Sequence, residues 1–492
     1  MKHIIKILEN KGAMLSADLS VELQNTLNIT SATARKRIER AISKPNSPIK
    51  YILNLNFPHN ARFIYLKKDE KNQLFFENLY LALNKTNSVY AHSLNTLIAK
   101  NGIIKWNRFR ILSGSPDKIV GHLSYRKVLQ RLLDIDICRT FEQNGEQYIK
   151  LMDNDETSEE SAYAQNKIEE IIISSTKDWL KKMGLVSYRT VDVKNEFGSF
   201  GWDITAPSYI SPFRNGEKHG FVVTDVIFNI IDEDCLKYFL HKVKIIKSQK
   251  NMYPFIPILI AKFFTKEAYA LGKSYGLILV TPEVLFGEKT GELLNNLLKC
   301  LTNAASVAIN DLEKFMDIYD QLSKIKGASI NLQGDLFEFI TAHCVKQIFE
   351  GSIDIGKRIS IPGELSSKEI DVMLVTNTNS LYFFECKGYN IKNRITKEEI
   401  EYWLEKIKFV WKWLKEQRKD LMGRKIIFEF ITTSDFYDDA KMLLDEEKTK
   451  VKKYSISYKN GEDFINFINE SNLINMNKII KTLKQHYLNL TM

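Results

Sequence analysis

Apolar and polar positions change period several times along this chain, and each change predicts a different kind of element. Residues 3–11 set Ile4, Ile5 and Leu8 on one side of a short helix. Ser16 is placed to cap a second helix carrying Leu19, Val21, Leu23 and Leu27, and Asn28-Ile29-Thr30 then turns tightly into a third helix over residues 31–43. Two strand-like runs follow, 49–55 and 62–66, joined by a turn at Pro58-His59-Asn60. A similar order recurs, with helices predicted over 72–83, 88–100 and 123–133. Strands at 137–141 and 147–151 then flank Asn144-Gly145, a dipeptide suited to a two-residue hairpin because both central residues need positive φ. The acidic run 152–161 reads as a linker.

Beyond the linker the pattern is mixed α/β. A long helix ends near residue 183, strand-like stretches cover 186–193, 202–205, 221–231, 255–261 and 277–280, and residues 288–326 are helical. The chain has 492 residues, too many for one core, so several domains are expected. Three helices followed by a hairpin is the order of a winged helix. The fold class expected is therefore multidomain. An α+β winged-helix region covers 1–70, with a second such domain over 71–152. An α/β domain over 160–290, a helical connector over 291–326 and a further α/β domain over 327–492 complete it.

Charge sharpens this division. Residues 1–150 hold 24 Lys and Arg against 12 Asp and Glu, and the remainder holds 46 against 48, so the positive excess lies wholly in the first third. A basic region on a neutral body suits a polyanion partner, because phosphate neutralisation supplies affinity without regard to sequence. Arg35, Lys36, Arg37 and Arg40 on the third helix, with Glu39 as the one acid among them, form the cationic surface a recognition helix would turn to the major groove of DNA. Arg126, Lys127 and Arg131 repeat the pattern on the helix before the second hairpin. The five cysteines are widely spaced, without a CxxC pair, which argues against a disulfide framework and a cysteine zinc site. No apolar run nears the ~18 residues of a spanning helix, so a cytoplasmic protein without a membrane partner is expected.

The chemistry concentrates late in the chain. Residues 368–375 and 381–387 alternate as strands around the turn-rich Thr376-Asn377-Thr378-Asn379-Ser380. A hairpin symmetric about Thr378 sets Asp371 opposite Glu385, with Lys387 on the same face and Tyr382, Phe384 and Cys386 on the other. Directly opposed carboxylates repel, by about 4 kcal/mol at ~4 Å and an effective dielectric of about 20. Lys387 offsets part of that, and a divalent cation held by both acids would offset the rest, hard oxygen ligands suiting Mg²⁺ or Mn²⁺.

At these residues the sequence resembles the PD-(D/E)xK superfamily of restriction-endonuclease-like nucleases. Asp371 matches the metal-binding aspartate, with Ile370 where the proline of the motif would stand, and Glu385-Cys386-Lys387 matches the ExK triplet. The resemblance implies an α/β core with a mixed sheet flanked by helices. It also implies metal held by Asp371, Glu385 and the Cys386 carbonyl, and Lys387 acting on the attacking water and on the charge that develops at phosphorus. Glu338, on a helix running to about residue 349, matches the glutamate that often precedes the core strands. A Mg²⁺-dependent DNA endonuclease follows, in restriction or phage defence, working as a homodimer or within a defence complex. The alternative is a non-catalytic winged-helix regulator or assembly factor with nuclease-like folds as scaffold. Residues 162–287 read as a degenerate second copy: Glu169 and Glu170 on its helix, Asp203 and Asp225 on its strands, and Ile227 where the lysine would be.

Overall fold

Ile4, Leu8, Leu19, Leu23, Ala34 and Ile38 close one small amino-terminal core between helices Lys2–Lys11, Ser16–Leu27 and Ser31–Ile42. The computed structural model describes all residues except 56, 144–145, 153–158, 187–195, 209, 211–218, 251, 324–327, 365, 390–391, 472–475 and 488–492. Asn28 ends the second helix in the left-handed region at φ 48, and the Thr30 hydroxyl accepts the Thr33 N–H, so the chain turns within three residues as its sequence predicts. Ser16 does not cap. Its hydroxyl accepts the Arg62 N–H at 3.1 Å and so ties the second helix to strand Phe63–Leu66. That strand lies between Met14–Leu15 and Ile49–Tyr51, antiparallel to both.

The chain is mixed α/β and divides into two compact units. One comprises Met1–Thr140, Ile149–Ser158 and Leu180–Thr281, the other Phe141–Tyr148, Glu159–Trp179 and Pro282–Met492. In the first unit, helices Gln73–Lys85, Val89–Ala99 and Tyr125–Asp134 fall where the periodicity places them, and the pattern does not announce a fourth, Trp106–Leu112. The predicted Asn144-Gly145 turn and nearly all of the predicted strand 186–193 lie outside the described residues. The unit's larger sheet runs Ile278–Val280, Phe255–Phe264, Gly220–Ile231, Ile204–Ser208 in spatial order. Its first three strands are mutually parallel and the last is antiparallel.

In the second unit the strands run Ser455–Lys459, Lys425–Thr432, Ser380–Lys387, Ser366–Thr376, and Gly351–Ser360 pairs with the last of these. Again three neighbours are parallel, and the Ser366–Thr376 strand is antiparallel. One face carries Met373, Leu381 and Phe383 into a core with Trp403, Ile407 and Val410 of helix Lys397–Gln417. On the other face Tyr382 stacks on Phe349 of helix Ala328–Phe349, ring centroids 4.8 Å apart. Helix Glu159–Lys182, which the sequence aligns with the middle α/β domain, gives residues 159–179 to this second unit. There Lys167 pairs with Asp335 at 3.2 Å and the Arg358 guanidinium lies 3.5 Å from the Tyr163 ring centre. Among the described residues no helix is long and apolar enough to cross a membrane.

Candidate active site

Hairpin register builds the site. Val372 lies opposite Phe384, Met373 opposite Phe383, Leu374 opposite Tyr382 and Val375 opposite Leu381, so the next step of the ladder sets Asp371 against Glu385. The Thr376 hydroxyl accepts the Ser380 N–H at 2.9 Å and Asn379 takes φ 64, which together close the five-residue loop on which that register depends. Both acids are buried, Asp371 8% exposed and Glu385 4%. Four polar contacts hold them. The Cys386 N–H donates to Asp371 Oδ2 at 2.8 Å, and Lys387 Nζ donates to Glu385 Oε1 at 2.7 Å. Lys406 Nζ reaches both acids, Asp371 Oδ1 at 3.1 Å and Glu385 Oε2 at 2.5 Å.

These contacts set the charge states. Burial alone would raise the Glu385 carboxyl, but the Lys406 and Lys387 ammonium groups overcome it and hold the group down at about 2. Burial likewise works against the Lys387 charge, and Glu385 and Asp371 push the ammonium well above its ordinary range all the same. Glu338, half-buried on helix Ala328–Phe349, goes the other way. Loss of solvent first, then the neighbouring Asp371, Asp335 and Glu369, raise its carboxyl well above the usual value. The Cys386 thiol is buried and pushed far up, so its side chain is inert and only its backbone can take part.

Gly388 brings the Lys387 end of the strand close to the Glu338 helix. A Cβ there would meet Phe337 Cβ at 2.8 Å and the Gln333 carbonyl oxygen at 2.9 Å. Gly388→Ala is expected to cost about 1–3 kcal/mol by forcing helix and strand apart, read as a lowered thermal midpoint; an unchanged midpoint would mean that the two elements relax freely around the added methyl group.

Lys406 is the member of this charged cluster that motif reasoning does not find. It is the tenth residue of helix Lys397–Gln417, whose start is fixed by a capping box between Thr396 and Glu399. Ile400, Trp403, Ile407, Val410 and Leu414 form the buried stripe of that helix, and Lys406 lies against it, only 9% exposed. A lysine three residues after Trp403 and four before Val410, on a face the period assigns to the core, is the one sequence signal that could have marked it.

The donor set suits a hard divalent cation. Asp371, Glu385 and Glu338 offer carboxylate oxygens. The Cys386 carbonyl leaves its strand on the same side as the N–H that reaches Asp371, as both groups of an extended residue do. Loss of solvent, with the nearby Asp371, Asp335 and Glu369, keeps the Glu338 carboxyl raised beside the acid pair. As the side chains stand, no three His, Cys, Asp or Glu among the described residues gather closely enough to hold an ion, and it is the Lys406 ammonium that bridges the acid pair. No protein-family model, curated protein or solved structure matches this chain.

The first unit carries a second acid pair of the same construction. Thr224 pairs with Ile204, so the ladder sets Asp225 opposite Asp203, and the Val226 N–H donates to Asp203 Oδ2 at 2.8 Å, as the Cys386 N–H does to Asp371. Lys242, the tenth residue of helix Glu233–Ser248, donates to Asp225 Oδ2 at 2.6 Å. Ile227 stands where Lys387 would be, and it is fully buried. Here the site is sealed. Lys242 also donates to the carbonyls of Gly201 at 2.8 Å and Ile111 at 3.2 Å and lies 3.6 Å from the Trp202 ring centre, while Arg108 pairs with Asp203 at 3.1 Å. Burial pushes Asp225 up and Lys242 down, and their mutual attraction opposes both shifts.

Of the basic residues expected to meet DNA, Arg35, Lys36, Arg37 and Arg40 are all exposed on helix Ser31–Ile42. Glu39 among them is taken by Arg62 at 3.1 Å. Arg126 and Lys127 are exposed on helix Tyr125–Asp134, but Arg131 is half-buried and donates to the Tyr90 hydroxyl at 2.5 Å, so it is engaged within the fold. These residues belong to the first unit, the Asp371 and Glu385 pair to the second.

Proposed function

We propose that the chain is a divalent-metal-dependent DNA endonuclease, with winged-helix elements at its amino end and a PD-(D/E)xK-like catalytic sheet at its carboxyl end. The observation that carries this reading is the buried, opposed pair Asp371 and Glu385, with Cys386 N–H on the first and Lys387 on the second. Asp371, Glu385, the Cys386 carbonyl and, beside them, Glu338 would hold the ion, which when bound polarises a phosphodiester and makes its water acidic. Lys387, whose side chain keeps 30% of its surface, would meet a phosphate oxygen and stabilise the charge that grows on it. Burial of both acids removes competing water, which strengthens each of these interactions.

At the other end, the exposed cations of helix Ser31–Ile42 would fix register on the phosphate backbone. Reversing Arg35, Lys36 and Arg37 to glutamate is expected to weaken DNA binding and to flatten its salt dependence, by about 0.9 in log–log slope for each phosphate that is no longer neutralised. An unaltered slope in a binding titration across salt would remove this helix from the interface.

One observation favours a second reading, in which the nuclease-like sheets are scaffold for a DNA-binding protein. The Asp203 and Asp225 pair is sealed by protein on every side that Lys242 and Arg108 cover, and an acid pair closed in that way has a structural role within its own sheet. Nicking of supercoiled plasmid in Mg²⁺ or Mn²⁺, with and without Asp371→Asn, separates the two. Metal-dependent nicking that the variant lacks supports the nuclease, and its absence from the wild type supports the scaffold.

A further inference from the structure

The two acid pairs share one architecture but hold their helix lysines very differently. Lys242 is 0% exposed and its ammonium meets a carboxylate, two backbone carbonyls and an indole face, so every direction open to it is filled. A guanidinium supplies the second positive charge, and two acids face two fixed cations. Among the described residues Lys406 bonds to the two carboxylates alone, at 3.1 and 2.5 Å, and its side chain keeps 11% of its surface. No arginine among them pairs with Asp371 as Arg108 does with Asp203; a further neighbour of that acid is another carboxyl group, Glu338. With Lys406 in place the Asp371 and Glu385 pair faces two lysines. With Lys406 withdrawn the pair faces only Lys387, leaving a net negative charge that a divalent cation would offset.

Resting on the metal-dependent reading above, we infer that Lys406 is the resident counter-ion of the acid pair, holding Asp371 and Glu385 together and swinging off them as a divalent cation enters. The long, flexible stem of lysine allows this, because its charge can move several ångströms while the helix stays packed through Trp403, Ile407 and Val410. Lys406 is thus a positioning residue, and metal occupancy becomes a competition between an ammonium and a metal ion for the same oxygens.

The test uses the full chain and Mn²⁺ as probe. Binding isotherms are measured for the wild type, Lys406→Met and Asp371→Asn, alongside labelling of Lys406 in the wild type by an amine-reactive ester, read by peptide mass spectrometry with and without saturating Mn²⁺. Lys406→Met should bind Mn²⁺ at least about tenfold more tightly, since the charge-assisted bonds of Lys406 no longer have to be broken first. Asp371→Asn should lose that binding, and Mn²⁺ should raise Lys406 labelling severalfold. Equal or weaker binding by Lys406→Met, or Lys406 labelling unchanged at Mn²⁺ saturation, would overturn the exchange while leaving the metal site standing. Absence of Mn²⁺ binding in both the wild type and Lys406→Met would overturn the metal reading and the exchange together. If Lys406→Met does not fold, the labelling of the wild type decides alone.

Discussion

Lys387→Met is expected to lower Mg²⁺-dependent plasmid nicking by about 10²–10³-fold or more, the loss seen when one preorganised group that stabilises transition-state charge is removed. Lys387 is partly exposed and its ammonium bonds to Glu385 at the carboxyl end of its strand, so its loss should leave the sheet intact. Affinity for DNA should stay nearly unchanged, because the cations proposed to hold the backbone lie elsewhere, on helices Ser31–Ile42 and Tyr125–Asp134. Asp371→Asn should match it in effect by a different route, weakening metal retention and the bond to the Cys386 N–H. Cleavage that survives either change at the wild-type rate would end the assignment of Asp371, Glu385 and Lys387 as a catalytic group.

The second large effect is on stability, and it falls on the other acid pair. Lys242→Met strips the ammonium from a site with no solvent to replace it, leaving Asp225 buried without its partner. Breaking a buried ion pair from one side typically costs about 3–5 kcal/mol. The loss should appear as reduced hydrogen-exchange protection of the Gly220–Ile231 amides, a local reading that suits a chain of two units better than a single melting curve. Plasmid nicking by the folded fraction should persist. A cost below about 1 kcal/mol, the scale of an exposed ion pair, would mean that water reaches Asp225 and that the pair is not sealed.

Much of the carboxyl-terminal site is legible in sequence, for a specific reason. Alternating strands around a loop of polar turn-formers leave few registers, and burial of Met373, Leu381 and Phe383 on one face selects among them, so the position of Asp371 against Glu385 follows from counting. Helix Lys397–Gln417 announces itself through its capping box and its apolar stripe. Lys406 does not, because a lysine beside a stripe ordinarily carries its charge out to water, and only tertiary packing traps this one beneath the helix. Arg108 is hidden for a related cause. It sits on a seven-residue helix too short to show a period, and its partner Asp203 is 95 positions away. Helix Glu159–Lys182 is easily recognised as a helix, but nothing in an amphipathic stripe says which unit its apolar side will join. Ser16 illustrates the local version of that limit: a hydroxyl at a helix start can cap its own helix or accept from a neighbouring strand, and the strand is invisible until it folds back.

The shared placement of Lys242 and Lys406 reaches beyond this chain. Their distances from Asp225 and Glu385 along the sequence are unequal, yet each is the tenth residue of its helix. The connector from strand to helix thus differs in length between the two pairs, while the lysine keeps the same place in its helix. A pattern search anchored on two opposed acids and counted from the following helix cap, with no fixed gap between, would pick out such pairs whether a lysine stands two residues after the second acid, as at Lys387, or an apolar residue does, as at Ile227.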